Sequence, residues 1–527
     1  MRFFNTAGPV DPADHYCLDP LVRIDLPFIL PLIEQKKYFV LHAPRQTGKT
    51  SCLLALQSYL NARDRYRCLY VNVEGAQAAR ENVTAAMQAI LHAAQRQAGH
   101  LPDSPLAGVD TLQILANAGP YDALHSLLER WSQASDRPLV VLFDEVDALI
   151  GDTLIAFLRQ LRAGYTNRPA RFPQTVMLCG VRDVRDYRIH SAAGKEIITG
   201  GSAFNIKAES LRLGNLSEPE VRALYQQHTT ETGQVFTEAA LARAWDLSRG
   251  QPWLVNALAY ECCFRQPAGR DRSRPIDVEL IEAAREALIL HRETHLDQLT
   301  DKLREPRVQR VIEPLLSGER LQDSAGEEDI QYVLDLGLID RAGGEIAIAN
   351  AIYREIIPRQ LTYVQQLDLE AEQKTAWYVR PDGRLDAIKL LAAFQAFFRE
   401  NAEHWLQRFT YQGAGPQLLM QAFLQRIVNG GGYVEREYGL GRGRTDLMVV
   451  WRHPGGVQRI VIELKMQHHS PEKTLAQGLE QITAYLDRVG EATGHLVIFD
   501  RRDRPWEEKI YRREEHYRGR TITVWGC

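Results

Sequence analysis

A short apolar run, Tyr38-Phe-Val-Leu-His42, passes directly into Ala43-Pro-Arg-Gln-Thr-Gly-Lys-Thr50 and then into the helical stretch Ser51-Cys-Leu-Leu-Ala-Leu. That order describes a buried strand, a tight loop and a helix opening from the loop. Backbone N–H groups of such a loop converge with the positive end of the helix dipole, a cradle for several phosphates. Gly48 lets the backbone approach closely, Lys49 reaches the β and γ oxygens, and Thr50 can ligate Mg²⁺. The candidate nucleotide-binding set is Ala43, Pro44, Arg45, Gln46, Thr47, Gly48, Lys49, Thr50 and Ser51. Ala43 stands where the usual pattern has its first glycine.

A matching half-site lies in Pro138-Leu-Val-Val-Leu-Phe-Asp144-Glu145-Val-Asp147. An apolar strand ends on two adjacent acids, where Asp144 can hold the magnesium shell and Glu145 can polarise an attacking water. The bland alternative is that the pair caps the next helix. With the loop upstream, ATP and Mg²⁺ are the implied cofactors. An arginine from a neighbouring subunit would accelerate turnover, and Arg159, Arg162, Arg168 and Arg171 occupy a basic, proline-containing stretch able to supply it.

With 527 residues, 45% apolar and 25% charged, the chain has room for several cores and is neither disordered nor a disulfide-stapled scaffold. A net charge of -4 excludes global attraction to nucleic acid or membrane, so such a partner must be met by a local patch. Seven scattered cysteines without a CxxC pair fit reduced thiols, and no apolar run approaches the ~18 residues of a membrane span. A soluble cytoplasmic protein is expected. Strands are expected at 38–42, 68–74, 139–143, 175–180 and 204–207, forming a parallel sheet wrapped by helices. The expected organisation is an ATPase core over 1–212, a helical lid over 213–265, a linker at Gln266–Pro275, a helical and winged-helix domain over 276–361, a helical connector over 365–410 and a second α/β module over 411–527.

Residues 1–265 resemble the prokaryotic AAA-like members of the ASCE/STAND class of P-loop ATPases. The likeness rests on APRQTGKTS (43–51), VLFDEVD (141–147), TVMLCGVRD (175–183) and RGQPWLVNALA (249–259). It implies a polar sensor near the γ-phosphate around Arg182 and Asp183, and a Gly-x-Pro lid motif in which Pro252 helps sense the nucleotide. An ordinary helix start with proline near N1 is the alternative for Pro252. Related ATPases assemble through the nucleotide interface, so an ATP-favoured homo-oligomer is expected.

In DIQYVLDLGLIDRAGGEIAIAN (329–350) a helix ending at Gly337 leads into two short strands around Gly343-Gly344, the pattern of a winged helix. Reading DNA with such an element calls for a basic surface. This helix instead begins Glu327-Glu328-Asp329 and contains Asp335, with only Arg341 basic nearby. Packing on the nucleotide domain, as in related switch ATPases, and direct DNA contact both stay open.

Asp446, Glu463 and Lys465 form the second constellation. Strand alternation puts Glu463 and Lys465 on one face and Leu464 on the other, with its backbone carbonyl on offer. The His453–Gly456 turn makes the strand opened by Asp446 a hairpin partner of the strand holding Glu463. Two carboxylates and a carbonyl suit Mg²⁺ or Mn²⁺, and Lys465 can orient or deprotonate a water that attacks a phosphodiester.

With GRGRTDL (441–447) and IELK (462–465), residues 411–527 resemble the PD-(D/E)xK nuclease superfamily; Thr445 stands where the name has proline. The resemblance implies a restriction-endonuclease-like domain in which Asp446, Glu463 and Lys465 are catalytic and Asp446, Glu463 and Leu464 hold the metal. Gln481 and Tyr485 would support the site from one helix face. Of the upstream carboxylates Glu435 and Glu437, one could be an additional metal ligand; Gln417 and Gln421 stand on a helix face without an acid, and His468 and His469 could touch metal or phosphate but read more readily as solvated. Residues 411–527 hold 17 basic and 14 acidic residues, among them Arg442, Arg444, Arg501, Arg502, Arg504, Arg512 and Arg513, a sign suited to a DNA backbone.

The fold class expected is therefore multidomain α/β: a parallel-sheet P-loop ATPase core, helical lid, winged helix, helical connector and mixed α/β nuclease-like domain. The leading function is an ATP-driven switch coupled to a metal-dependent DNA nuclease, with DNA as partner, no membrane, and defence against foreign DNA as the setting that resemblance suggests. One alternative is a STAND-like signalling ATPase whose nuclease-like module binds nucleic acid or a partner without cutting. The other is a DNA-translocating ATPase, which requires rings and DNA-stimulated hydrolysis.

Overall fold

The computed structural model describes the chain outside residues 102–107, 184–187, 191–196, 200–203, 291–300, 318–324, 343–344, 362–377, 409–414, 429–431, 439–444, 468–469, 501 and 503. Gly343, Gly344, Arg442, Arg444, His468, His469, Arg501 and part of the expected connector thus lie outside the described residues. Two units are present: Met1–Leu288 with Asp335–Gly337, and Ile289–Leu334 with Leu338–Cys527.

The first unit is built on five parallel strands, β1 (Tyr38–His42), β2 (Arg67–Asn72), β3 (Leu139–Asp144), β4 (Thr175–Gly180) and β5 (Lys207–Arg212), in the order β2-β3-β4-β1-β5. The first four are largely apolar on both faces because both are covered. Tyr38, Val40, Val71, Val141 and Leu178 pack with helices Val83–Gly99, Ala123–Ala134 and Gly151–Ala163. Phe39, Leu41, Cys68, Leu142 and Met177 face the opposite way, toward Leu26–Glu34 and the helix that follows β1. Strand β4 is inserted between the loop-bearing β1 and the acid-tipped β3. The carboxyl ends of all three therefore open on one edge, where ligands of such sheets collect.

Four of the expected strands occur within two residues of their expected bounds. The fifth runs Lys207–Arg212 rather than 204–207. The side chains of Lys207–Arg212 are only part-buried or exposed and its sequence is mixed polar and apolar, so the apolar Phe204 marks a core contact ahead of it and not the strand itself.

The helices that concern the sites are α1 (Pro20–Arg23), α2 (Lys49–Asn61), α3 (Glu218–Thr232), α4 (Glu238–Ser248), α5 (Pro252–Tyr260), α6 (Glu327–Asp335), α7 (Ala387–Arg408), α8 (Gly415–Val428) and α9 (Pro471–Val489). Helix α3 starts at a capping box of Ser217 and Glu220, with proline in its first turn. The stretch Gln266–Pro275, expected as a linker, is folded in the first unit. Gln234 Nε2 donates to the carbonyls of Gly269, Asp271 and Arg274 at 3.0, 3.2 and 2.9 Å. One buried amide, with two N–H donors shared among three main-chain carbonyls, holds a segment whose composition alone reads as a linker.

In the second unit Ile339–Ala342 (β6) and Glu345–Ile348 (β7) form an antiparallel pair. A six-stranded mixed sheet follows, from β8 (Gly432–Tyr438), β9 (Thr445–His453), β10 (Gly456–Met466), β11 (Thr493–Phe499), β12 (Tyr511–Tyr517) and β13 (Arg520–Gly526), in the order β8-β9-β10-β11-β13-β12. The β10–β11 and β11–β13 pairs are parallel and the rest antiparallel. Helix α9 covers one face, packing Leu479, Ile482 and Tyr485 with Met448, Val461 and Leu496. Phe394 and Phe398 of α7 meet Phe499 on the other face, and Phe423 of α8 meets Phe394. Among the described residues no helix is long and apolar enough to cross a membrane.

Gly250, between α4 and α5, has φ +72°, and a Cβ there would lie 1.8 Å from the Leu216 carbonyl oxygen. Gly250→Ala is expected to destabilise the protein by about 2 kcal/mol or more, since backbone must move to admit it. The check is the urea unfolding midpoint; an unchanged midpoint would contradict this packing.

Candidate functional site

Residues 43–48 turn between β1 and α2 with Gln46 and Gly48 at positive φ. Ala43 N–H donates to the Gly180 carbonyl at 3.2 Å, which docks the loop on the end of β4. Thr47 Oγ1 donates to the Pro44 carbonyl at 2.9 Å, and the buried Lys49 ammonium donates to the carbonyls of Ala43 and Pro44, each at 3.0 Å. The loop is thus closed on itself by its own polar groups. Arg45 and Gln46 are exposed at its tip. Ser51 turns the other way, its Oγ accepting from Val10 N–H at 3.1 Å.

Asp144 ends β3 and is fully buried. Its Oδ2 accepts from Thr50 Oγ1 at 2.7 Å and from Tyr70 Oη at 3.0 Å, and its Oδ1 accepts from Glu145 N–H at 2.9 Å. A threonine hydroxyl beside a carboxylate is a hard-oxygen pair of the kind Mg²⁺ takes, so these residues fit that ion. Glu145 adopts φ 57°, ψ 40°, a left-handed conformation that costs a non-glycine residue about 1 kcal/mol or more. Burial raises its carboxyl pKa, and Asp147 raises it further. Asp147 in turn accepts from Val181 N–H at 3.1 Å, joining the acid turn to the end of β4.

Arg182 follows β4 and pairs with the buried Asp335 at 3.3 Å, while Asp183 pairs with Lys207. Gly337 packs on the ring of Pro44. Residues 335–337 thus belong to the nucleotide edge of the first unit although they lie far along the chain. Burial lowers the pKa of His42, at the end of β1. Pro252 is buried in the first turn of α5; Gln251 caps that helix by accepting from Leu254 N–H at 2.6 Å. Trp253 Nε1 donates to the Thr6 carbonyl at 2.9 Å, so the start of α5 is tied to the amino-terminal segment that also meets Ser51. Among the arginine-finger candidates, Arg168 stacks on Tyr165 and donates to its carbonyl, and Arg171 pairs with Glu129. Arg159 and Arg162 are exposed on their helix.

The β9–β10 register sets Asp446 directly opposite Glu463. Asp446 is also opposite Glu437 on the β8 side. Glu463 is fully buried and ion-paired with Lys465, two residues along the same strand. Leu464, on the other face, is buried too. Tyr485 is packed with Val461 and Met448, and its Oη lies 3.9 Å from the Met448 sulfur. By strand alternation Glu463 and Lys465 share the face of Val461, which α9 covers and on which Gln481 precedes Tyr485 by one turn. Among the described residues no group of three or more His, Cys, Asp or Glu is gathered as a metal site.

Tyr70 was given no part in the site by the sequence, and Asp147 and Asp335 were quoted there without a role at the nucleotide edge. Tyr70 carried a faint signal, a polar tip within the apolar Cys68-Leu-Tyr-Val71, whereas Asp335 gave none because its partner is remote in sequence.

A parallel sheet with a phosphate-type loop after one strand and an acid pair after another defines the P-loop ATPases. Residues 33–187 match the family described as the AAA domain, so the first unit carries an AAA-family P-loop ATPase domain. Solved structures similar to the chain include the Walker-type ATPase PABY2304 of Pyrococcus abyssi, 14% identical with a TM-score of 0.45, over 67% of this chain and 99% of that one. Cdc6p from Pyrobaculum aerophilum is 14% identical with a TM-score of 0.36, over 66% and 93%. The RuvB Holliday junction branch migration motor of Thermotoga maritima is 14% identical with a TM-score of 0.33, over 63% and 93%. No curated protein matches the chain.

Tyr70→Phe removes one donor to Asp144 and leaves Thr50 in place. It is expected to raise the magnesium concentration needed for ATP binding by about tenfold, the usual scale for a group that orients a metal ligand. Titration of ATP at graded magnesium checks this; an unchanged requirement would remove Tyr70 from the site.

Proposed function

We propose that the chain is an ATP-driven switch whose residues 411–527 act as a divalent-metal-dependent DNA nuclease. The observation that carries the nuclease half is the register of Asp446 opposite Glu463, with Lys465 paired to Glu463 on the same strand as Val461, against which α9 packs Tyr485. For the switch half, the support is Thr50 and Asp144 in contact behind a closed phosphate loop.

At the nucleotide site the loop N–H groups and Lys49 hold the phosphates, and Glu145 accepts the proton of the attacking water. At the second site Lys465 orients the water that attacks a phosphodiester. Thr50 and Asp144 would hold one ion and Asp446, Glu463 and the Leu464 carbonyl another. A bound Mg²⁺, or Mn²⁺ at the second site, supplies neutralisation of phosphate charge. Arg182 is the nucleotide sensor, and its bond to Asp335 supports the reading of residues 276–361 as a winged-helix arm that responds to nucleotide rather than as a DNA reader. Self-association favoured by ATP, with Arg159 or Arg162 reaching a neighbour, a cytoplasmic setting and a role in defence against foreign DNA complete the proposal.

A second reading, a signalling ATPase with a non-cutting module, is favoured by Glu463 already being neutralised by Lys465. Plasmid cleavage in Mg²⁺ and Mn²⁺ separates the two. Wild type is expected to cut, and Asp446→Ala, Glu463→Ala and Lys465→Ala to abolish cutting. An inactive wild type, or cutting that survives all three changes, would refute the nuclease half. For the ATPase half, Glu145→Gln is expected to cut turnover by roughly 10²–10⁴ while ATP binding persists, the scale of a lost general base. Turnover at the wild-type rate would assign the base elsewhere.

A further inference from the structure

A guanidinium that no motif announces lies against the phosphate loop. Arg23 closes α1, which Asp19 caps by accepting from Leu21 N–H. Its Nη1 donates to the Thr47 carbonyl at 2.7 Å, and its Nη2 to the Gly214 carbonyl at 3.0 Å. Burial lowers its pKa from the ordinary arginine value. Gly48 admits the group: a Cβ there would sit 2.9 Å from Nη1, at a φ of +89° that side chains rarely adopt.

The carbonyl of Thr47 and the N–H of Gly48 belong to one planar trans peptide and point in opposite directions. Holding that carbonyl on the Arg23 side therefore turns Gly48 N–H away from Arg23. The charge-assisted bond also polarises the peptide, which makes that N–H a better donor. Gly214, the other acceptor, lies between β5 and the cap of α3, at the root of the lid. The preceding Leu213 N–H donates to the His42 carbonyl at 3.0 Å, so this segment runs beside the base of the loop. A guanidinium is a rigid planar fork, and the two carbonyls it grips are held at a fixed spacing.

We propose that Arg23 is a positioning residue of the nucleotide site: it sets the Thr47–Gly48 peptide to receive phosphate and locks that peptide to the root of the lid. The proposal rests on residues 43–50 being the phosphate loop, and its test keeps the two apart.

Binding of ATP and of inorganic tripolyphosphate, at one fixed saturating magnesium concentration, is measured by calorimetry on the full chain carrying Arg23→Met, Arg23→Lys or Lys49→Ala. Arg23→Met is expected to weaken both ligands by one common factor of about tenfold or more, because the effect lies at the phosphates and not at the base. Arg23→Lys is expected to fall between, since an ammonium carries the charge but does not fork to both carbonyls. Weak binding by Lys49→Ala beside wild-type binding by a folded Arg23→Met, even one with a lowered melting temperature, overturns the Arg23 proposal alone. Wild-type binding by Lys49→Ala overturns the loop reading itself. Should Arg23→Met fail to fold, Arg23→Lys decides, and affinity within about twofold of wild type overturns the proposal.

Discussion

The nucleotide edge depends on one buried carboxylate. Asp144 has no exposure to water, and it is tolerated there because donors from three elements satisfy it: Thr50 at the start of α2, Tyr70 on β2 and the main chain of Glu145. The same bonds fix the distance between the phosphate loop and the acid strand, although β4 separates β1 from β3 in the sheet. A site whose two halves lie on non-adjacent strands needs such a tie, because sheet hydrogen bonding alone does not bring them together. Glu145 pays for its place with a left-handed backbone, which sets it immediately beyond the carboxylate.

Around that centre the charges are paired and withdrawn from water. Arg182 with Asp335 and Lys207 with Asp183 form two such bonds within a few residues of the ends of β4 and β5. Removing one partner from a buried pair typically costs about 3–5 kcal/mol, so a phosphate that draws Arg182 away must compensate the loss to Asp335. With Arg182 as the proposed sensor, this pair would carry nucleotide state to residues 335–337. The second unit uses the same device at Glu463 and Lys465, where a buried acid is held by a lysine two residues along its strand.

The loop, the acid pair and the central strands were legible because each is local: the apolar runs and the order of Gly48, Lys49 and Thr50 encode their own conformation. Strand Lys207–Arg212 was misplaced because its part-buried and exposed side chains lack the apolar signature that marks fully buried strands. The stretch Gln266–Pro275 looked solvated because the amide that satisfies it, Gln234, lies elsewhere in the chain. The role of Arg23 and that of Asp335 were hidden, and that of Tyr70 only faintly signalled, for the same reason: each acts through a partner remote in sequence. In the second unit the alternation of Glu463 and Lys465 was plain, but the β9–β10 register had to be observed in the structure.

The proposed ATP-driven nuclease is tested most directly by whether nucleotide governs phosphodiester cleavage. The rate of plasmid cleavage is measured on one protein preparation without nucleotide, with ATP and with a non-hydrolysable analogue. Rates that differ among these states by about tenfold or more, the span of a typical coupling free energy, are expected. Equal rates in all three would contradict the coupling.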